Sequence, residues 1–173
     1  MPLQLTTIKI SGVPSESGWS QSFEYTVSET KPKDTQSLVI VFSTGVKSLD
    51  VQSVEMGREF LKKFHDSYFE VEERSPALSL KDAANKVFND FFQNFDGLEI
   101  ACAAYTGDSI YVSAINGAKV SLYRDKFLVS ILDSAAPKLI SASGHPEDGD
   151  TLILSTSAFS GKFPTSDIKK NLD

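Results

Sequence analysis

The strongest constraint in the sequence is an unbroken apolar run in its first third. Residues 38–42 read Leu-Val-Ile-Val-Phe, and no polar residue interrupts them. A strand that lay on a surface sheet would alternate apolar and polar residues, whereas a strand with apolar side chains on both faces must be covered on both. The run therefore predicts a layered fold with a strand over residues 37–42 in its interior.

Two apolar stripes at helical spacing follow this strand. Positions that recur every three or four residues share one face of a helix, so both segments predict helices that pack against a sheet. Pro76 is interpreted as the break between them, and Ser79 as the N-cap of the second. The stripes consist of Met56, Phe60, Leu61, Phe64 and Tyr68, and of Leu80, Ala83, Ala84, Val87, Phe88, Phe91, Phe92 and Phe95.

The second half of the chain has the pattern of a meander of short strands. Asn116-Gly117 lies between two of them and is the strongest short signal for a hairpin turn. Strands joined by hairpins, together with a pair of helices, predict the α+β class and one domain over residues 1–173. The predicted strands cover residues 5–10, 23–27, 37–42, 99–105, 109–115, 118–123, 127–132, 139–142 and 151–155. Residues 160–164 predict a loop, and residues 165–173 the beginning of a helix.

Charge and composition exclude several classes of function. The chain has 17 basic and 23 acidic residues, a net charge of −6, and no basic cluster, so nucleic acid and anionic membranes are not expected partners. No segment approaches the roughly 20 apolar residues of a membrane span, and the N-terminus lacks the pattern of a secretory signal. The single cysteine, Cys102, is interpreted as a core residue and fits a reducing compartment. These features predict a cytoplasmic protein.

The common catalytic and metal-binding motifs do not occur. His65 and His145 are far apart and have no neighbours at ligand spacing, and neither a phosphate-binding glycine loop nor a nucleophile elbow is found. Carboxylates are the remaining option for chemistry, but many of them lie in turns, where aspartate is favoured for backbone reasons. These turn residues are Asp96, Asp108, Asp125, Asp148 and Asp150.

Three stretches nevertheless carry a resemblance to a known family. Residues 38–45 (Leu-Val-Ile-Val-Phe-Ser-Thr-Gly) resemble a buried strand that ends in an aspartate-glycine pair and precedes an amphipathic helix. Residues 100–124 are similar to a central pair of strands, with Asn116-Gly117-Ala118-Lys119 in place of Gly-Asp-Ser-Arg. Residues 148–159 are similar to a late strand that ends in Ser-Asp-Gly-Leu. The family is that of the metal-dependent (type 2C) serine/threonine protein phosphatases, and the resemblance spans roughly residues 37–172.

The resemblance implies a four-layer αββα sandwich, in which helices flank two antiparallel sheets. It also implies a shortened version, because the family's C-terminal aspartate has no counterpart before Asp173. In active members, aspartates at the strand ends hold Mg²⁺ or Mn²⁺, and the metals activate a water that attacks the phosphate.

The family's metal-binding aspartates are replaced at the positions that match. The first maps to Ser43 or Thr44, and the later one maps to Ser157, with Ala158 in place of the glycine. A hydroxyl is a weak neutral ligand for a divalent cation. The sequence therefore predicts a degenerate member without metal ligands, metal cofactor or catalytic residues. Such a domain would act as a binding or regulatory module, with a protein as its partner.

Two alternatives stay open at the level of sequence. One is a divergent but active metal-dependent phosphoprotein phosphatase, with Mg²⁺ or Mn²⁺ held by acids such as Glu24, Asp50 or Asp150. The other is an α+β binding domain unrelated to phosphatases.

Two further hypotheses concern binding. A residual pocket lined by Ser43, Thr44, Lys47 and Ser157 could hold phosphate or another anion without metal. If a final strand is missing, an open sheet edge would allow a homodimer.

Overall fold

A computed structural model describes residues 3–14, 18–26, 35–45 and 51–172. These parts of the chain contain eight strands and four helices. The strands are β1 (Trp19–Thr26), β2 (Ser37–Thr44), β3 (Glu99–Tyr105), β4 (Ile110–Ile115), β5 (Lys119–Arg124), β6 (Phe127–Asp133), β7 (Ile140–Gly144) and β8 (Thr151–Ser155). The helices are α1 (Val51–Phe69), α2 (Pro76–Phe91), α3 (Ser157–Lys162) and α4 (Thr165–Leu172).

The strands form two antiparallel sheets that face each other. The first sheet has the order β1-β2-β3-β4-β7, and the second has the order β6-β5-β8. Helices α1 and α2 pack on the outer face of the first sheet, and α4 contacts β6 of the second. This arrangement confirms the predicted α+β fold with two antiparallel sheets. None of the helices that the described residues form is long and apolar enough to cross a membrane.

The first core lies between the five-stranded sheet and helices α1 and α2. Alternate residues of β2, among them Ile40 and Phe42, point into it and are fully buried. Phe60 and Phe64 of α1 meet them there, and the Phe42 and Phe60 ring centroids are 4.3 Å apart. The helical stripes predicted from the sequence therefore cover one face of β2.

The second core lies between the two sheets and consists of smaller side chains. It includes Ala101 and Ala103 of β3, Ala114 of β4 and Val120 of β5, all buried. Alanine lets two sheets approach closely, because little side-chain volume separates the backbones. The other face of β2 is half-buried at Val39 and Val41, which do not belong to this core. The central apolar strand is therefore fully buried on its helix side and partly covered on the other side, where its sequence predicted full cover.

The beginning of α2 corrects the sequence prediction. The N-cap is Ser75, whose hydroxyl accepts a hydrogen bond from the Leu78 amide at 3.4 Å, and Pro76 is the first helical residue. Ser79, the predicted cap, lies inside the helix and is buried. Proline is favoured at the first helical position because its missing amide hydrogen would have no partner there. Pro76 thus begins the helix as well as separating it from α1.

The Asn116-Gly117 turn forms but does not close a hairpin. Both residues have positive φ angles, 58° and 105°, and the Ala118 amide donates to the Ile115 carbonyl at 3.4 Å. However, β4 belongs to the first sheet and β5 to the second. The turn therefore carries the chain from one sheet to the other, so the predicted β4–β5 pairing is wrong.

Other boundaries differ in smaller ways. The predicted strand over residues 5–10 does not form, and β1 begins at Trp19 rather than at residue 23. The predicted loop over residues 160–164 overlaps α3, which ends at Lys162. The strands predicted over residues 99–105 and 151–155 are confirmed with the same bounds. Residue 27, the predicted end of the strand that corresponds to β1, lies outside the described residues.

Candidate functional site

Two of the candidate residues meet where β2 and β8 end and β3 begins, here called the Glu99 end of the sandwich. Ser43 lies directly opposite Glu99 in the β2–β3 ladder. Because side chains alternate along a strand and Phe42 points into the helix-side core, Ser43 points toward the second sheet. Directly opposed residues of antiparallel strands have β-carbons about 4.5–5.5 Å apart. Ser43 and Glu99 are therefore neighbours between the sheets.

Ser157 joins this pair from the second sheet. It follows β8, and its backbone amide donates to Glu99 Oε2 at 2.6 Å. Its hydroxyl donates to Glu99 Oε1. Both carboxylate oxygens of Glu99 are thus bound by one serine, and the carboxylate ties the beginning of β3 to the end of β8. Glu99 was not among the candidate residues predicted from the sequence. The signal that marks it is an acid at the first position of a strand whose next six residues carry no charge.

Gly117 makes room for the Glu99 carboxylate. A β-carbon at this position would lie 3.1 Å from Glu99 Cδ, and the φ angle of +105° is one that other residues rarely adopt. The neighbouring Asn116 holds the turn in place, because its side-chain amide donates to the Leu98 carbonyl at 2.9 Å. The Asn-Gly turn therefore leaves space for the Glu99 carboxylate and also carries the chain from the first sheet to the second.

The remaining pocket candidates do not join this cluster. Thr44 is buried and lies opposite Trp19, a residue of the helix-side core, so it is on the other face of β2 from Ser43. Lys47 lies outside the described residues. The structure therefore brings together Ser43 and Ser157 of the predicted pocket, with Glu99 between them.

Two acids that would hold metal in the active-phosphatase alternative lie away from the Glu99 end. Glu24 Oε1 accepts hydrogen bonds from the Thr7 hydroxyl at 2.8 Å and from the Ser37 hydroxyl at 3.4 Å. Asp150 precedes β8, so the length of that strand, about 13 Å, separates it from the Glu99 end. Asp50 lies outside the described residues. Glu24 and Asp150 do not converge on the strand ends that carry Ser43 and Ser157.

The other end of the sandwich, here called the Arg124 end, is organised around one guanidinium group. Arg124 donates to both Asp150 carboxylate oxygens, at 2.8 and 2.6 Å, to Glu147 Oε1 at 2.6 Å, and to the His145 carbonyl at 3.1 Å. The hydrogen bonds and charge of Arg124 lower the pKa of Asp150 below its ordinary value, and Asp150 in turn raises the pKa of Arg124. These contacts hold the β7–β8 loop against β5.

The donor set at the Glu99 end does not fit a pair of divalent cations. Two such cations require several carboxylate oxygens. Glu99 already accepts two hydrogen bonds from Ser157. Of the other described acids toward this end, Asp96 accepts from the Gly45 amide through its backbone carbonyl at 2.6 Å, and Asp133 is paired with Lys119 at 2.9 Å. Across residues 3–14, 18–26, 35–45 and 51–172, no three histidine, cysteine or acidic side chains are grouped so that they could hold an ion.

The lone cysteine shows no sign of reactivity. Cys102 is fully buried in β3, and burial raises the pKa of its thiol above the ordinary value. A nucleophilic cysteine needs the opposite shift, because the thiolate is the reactive form. The interpretation of Cys102 as a core residue is confirmed.

Comparison with known proteins gives matches in structure. No protein-family model matches the sequence, and no curated protein is significantly similar to it. PppA, a key regulatory component of the T6SS in Pseudomonas aeruginosa, is 13% identical with a TM-score of 0.58, over 92% of this chain and 85% of that one. The Mycobacterium tuberculosis serine/threonine phosphatase PstP is 10% identical with a TM-score of 0.53, over 88% and 83%. The SiaA-PP2C domain of P. aeruginosa is 11% identical with a TM-score of 0.56, over 83% and 62%.

Identities this low establish the fold and nothing finer. The matched structures are phosphatases of the PP2C type, and the alignments cover most of this chain. The matches agree with the family to which the three sequence stretches pointed. The chain has the fold of the metal-dependent (type 2C) serine/threonine phosphatases.

Proposed function

We propose that this chain is a catalytically inactive type-2C-phosphatase-like domain that acts in the cytoplasm as a binding or regulatory module for a protein partner. The observation that carries the proposal is the contact between Ser157 and Glu99. Ser157 occupies the position to which the family's late metal-binding aspartate maps. In this chain the residue at that position is a hydrogen-bond donor to an acid.

The chemistry of this contact supports inactivity. An aspartate at position 157 would place a second negative charge beside Glu99, and a cation would be needed to offset the repulsion. A serine donates hydrogen bonds to Glu99 and adds no charge beside it. Ser43 likewise places an uncharged side chain opposite Glu99 in the ladder. The three positions therefore carry one negative charge between them, whereas a pair of divalent cations requires several carboxylates.

A regulatory role is consistent with the structural neighbours. PppA is described as a key regulatory component of the T6SS, and it has the same fold at 13% identity. A domain that keeps its fold without converging acids retains its outer surfaces for recognition. We assign the partner to the class of proteins, because the net charge of −6 disfavours nucleic acid and anionic membranes.

The test combines metal binding and turnover on the purified chain. Mn²⁺ is titrated calorimetrically into chelator-treated protein, and hydrolysis of para-nitrophenyl phosphate is followed in the same buffer. We expect neither stoichiometric binding nor turnover above the buffer rate. Stoichiometric Mn²⁺ uptake with turnover would overturn the proposal and favour the active-phosphatase alternative.

A pair of matched double variants tests whether the family's metal site maps to the Glu99 end. Ser43→Asp combined with Ser157→Asp places carboxylates on either side of Glu99, and we expect this variant to gain Mn²⁺ affinity because a cation would offset three clustered charges. Ser43→Asn with Ser157→Asn has the same shape without charge and serves as the control. Equal Mn²⁺ affinity in the two variants would mean that the Glu99 end is not where the family's metal site maps.

The anion-binding hypothesis is a separate proposal, and Ser43 and Ser157 are the two of its residues that lie at the Glu99 end. Phosphate at this end would have to displace the Glu99 carboxylate from Ser157, because two anions cannot share the same donors. Glu99→Gln removes the competing charge. If the hypothesis holds, this variant binds inorganic phosphate more tightly than the parent chain, and unchanged or absent binding in a calorimetric titration would contradict it.

A further inference from the structure

The Arg124 end of the sandwich contains a cavity between the two sheets. Its volume is about 350 Å³. Ile110 and Ala142 line it from the first sheet, and Leu122, Ile131 and Leu152 line it from the second. At the Glu99 end, by contrast, the facing side chains of the two sheets are closely packed and buried. The sheets are therefore separated enough at one end to leave space that side chains of the described residues do not fill.

The walls of this cavity are mainly carbon, and the arginine at its mouth is already paired with acids. Arg124, at the mouth, donates to Asp150, Glu147 and the His145 carbonyl. Asp150 also accepts from the Glu147 amide at 2.8 Å. Transferring a charged ligand group into an apolar space without a partner is costly. Arg124 offers an anion no free partner, and Asp148, a further acid at the mouth, is exposed to solvent. The chemistry therefore selects an uncharged ligand.

The volume indicates the size of that ligand. An engineered protein cavity of about 150 Å³ lined by leucine, isoleucine and phenylalanine stays dry and binds benzene. A volume of about 350 Å³ is roughly twice as large and reaches the lower range of small-molecule pockets, about 300–1,000 Å³. The space suits a molecule of two or three aromatic rings or an aliphatic chain of similar bulk.

We propose that this cavity is a binding site for a compact, uncharged and mainly apolar small molecule. The site is distinct from the Glu99 end, since β5 and β8 run between the two. Burial of the ligand against Ile110, Leu122 and Leu152 supplies the attraction. The β7–β8 loop, held by Arg124, forms the wall nearest to solvent.

The test uses two fluorescent probes that differ by one charge. N-phenyl-1-naphthylamine is neutral, and 8-anilinonaphthalene-1-sulfonate has the same ring system with a sulfonate. We expect the neutral probe to bind saturably at one site, and the anionic probe to bind about tenfold more weakly because its charge meets no free partner. Non-saturable binding of the neutral probe would overturn the site, and equal affinity for both probes would overturn the uncharged class of ligand.

A cavity-filling variant tests the location. Ala142→Leu extends a side chain into the space and is expected to weaken the neutral probe at least tenfold, whereas Ala135→Leu makes the same change at an exposed position and should have no effect. Circular dichroism and thermal unfolding verify that both variants fold. Undiminished probe binding by folded Ala142→Leu would overturn the proposal.

If Ala142→Leu fails to fold, a second measurement tests whether the neutral probe binds in the cavity. In the unaltered chain, methyl chemical shifts are recorded with and without the neutral probe. Shifts confined to methyl groups that line the cavity, among them those of Ile110, Leu122 and Leu152, would support the cavity site. Shifts of the same size at the exposed Ile8 and Val13 would mean that the probe coats apolar surface instead, and would overturn the proposal.

Discussion

The two cores of this protein differ in how completely they are closed. Phe42 and Phe60, in the core between the first sheet and helices α1 and α2, have no exposed surface. Between the sheets, side chains at the Glu99 end are buried, whereas Ile131, which lines the cavity, is 38% exposed and Leu152 is half-buried. The helix-side core is closed by long side chains on curved helical surfaces, whereas the inter-sheet core depends on the spacing between two sheets. The change in the free energy of unfolding that a substitution causes should therefore differ between the two cores in size and even in sign.

The largest contrast concerns truncation of one large side chain in each core. Phe60→Ala should lower the free energy of unfolding by about 3–5 kcal/mol, because it leaves a cavity among closely packed aromatic rings. Leu152→Ala should cost about 1–2 kcal/mol, because part of that side chain is already in contact with solvent or with the cavity. Urea unfolding of both variants measures the difference. Equal losses would mean that the two cores are equally closed in solution.

The second contrast concerns enlargement within the inter-sheet core. Ala101→Leu, at the fully buried part, should destabilise by about 1–3 kcal/mol because the sheets leave no volume for three more carbons. Ala142→Leu, at the cavity, should be within about 0.5 kcal/mol of the parent or stabilise it, because the new atoms occupy existing space. Thermal unfolding of the two variants provides the comparison. A similar loss in both would show that the cavity closes in solution.

The third prediction concerns the tie between the sheets at the Glu99 end. Ser157→Ala removes the hydroxyl donor to Glu99 and should cost about 1 kcal/mol, since the carboxylate keeps the Ser157 backbone amide and gains water in place of the hydroxyl. Ser157→Thr keeps the hydroxyl and is the matched control. Chemical denaturation that gave the same loss for both would indicate that side-chain shape, rather than the hydrogen bond, matters at this position.

The smallest effect should be the pH dependence contributed by the Arg124 end. Arg124 lowers the pKa of Asp150 in the folded state, so this pair stabilises the fold above the ordinary aspartate pKa of about 3.9 and the contribution is lost as the pH falls below it. Asp150→Asn should be less stable than the parent at pH 7, and the gap should narrow steadily as the pH falls below about 3.9 toward the lowered pKa of Asp150 in the folded state. A gap that did not narrow between pH 5 and pH 3 would assign the effect to hydrogen bonding rather than to charge.

The sequence predicted correctly those features that depend on the residues of a single strand or helix. The apolar run over residues 38–42 predicted an interior strand covered on both faces, and the stripes in α1 and α2 predicted helices on a sheet. The strand and the helices are confirmed, whereas the face of β2 that carries Val39 and Val41 is only half-buried. The candidate site was predicted only in part. Ser43 and Ser157 meet at Glu99, but Thr44 points into the other core, because neighbouring residues of a strand face opposite sides.

The sequence by itself therefore determined the secondary structure of the central strand and of the first two helices. These follow from local periodicity and residue chemistry, which do not require knowledge of distant neighbours. The tertiary structure decided that the turn at Asn116 joins two sheets, that Glu99 binds Ser157, and that a cavity remains at the Arg124 end. Each of these depends on the spacing and pairing of segments far apart in the chain, and no local pattern encodes that spacing.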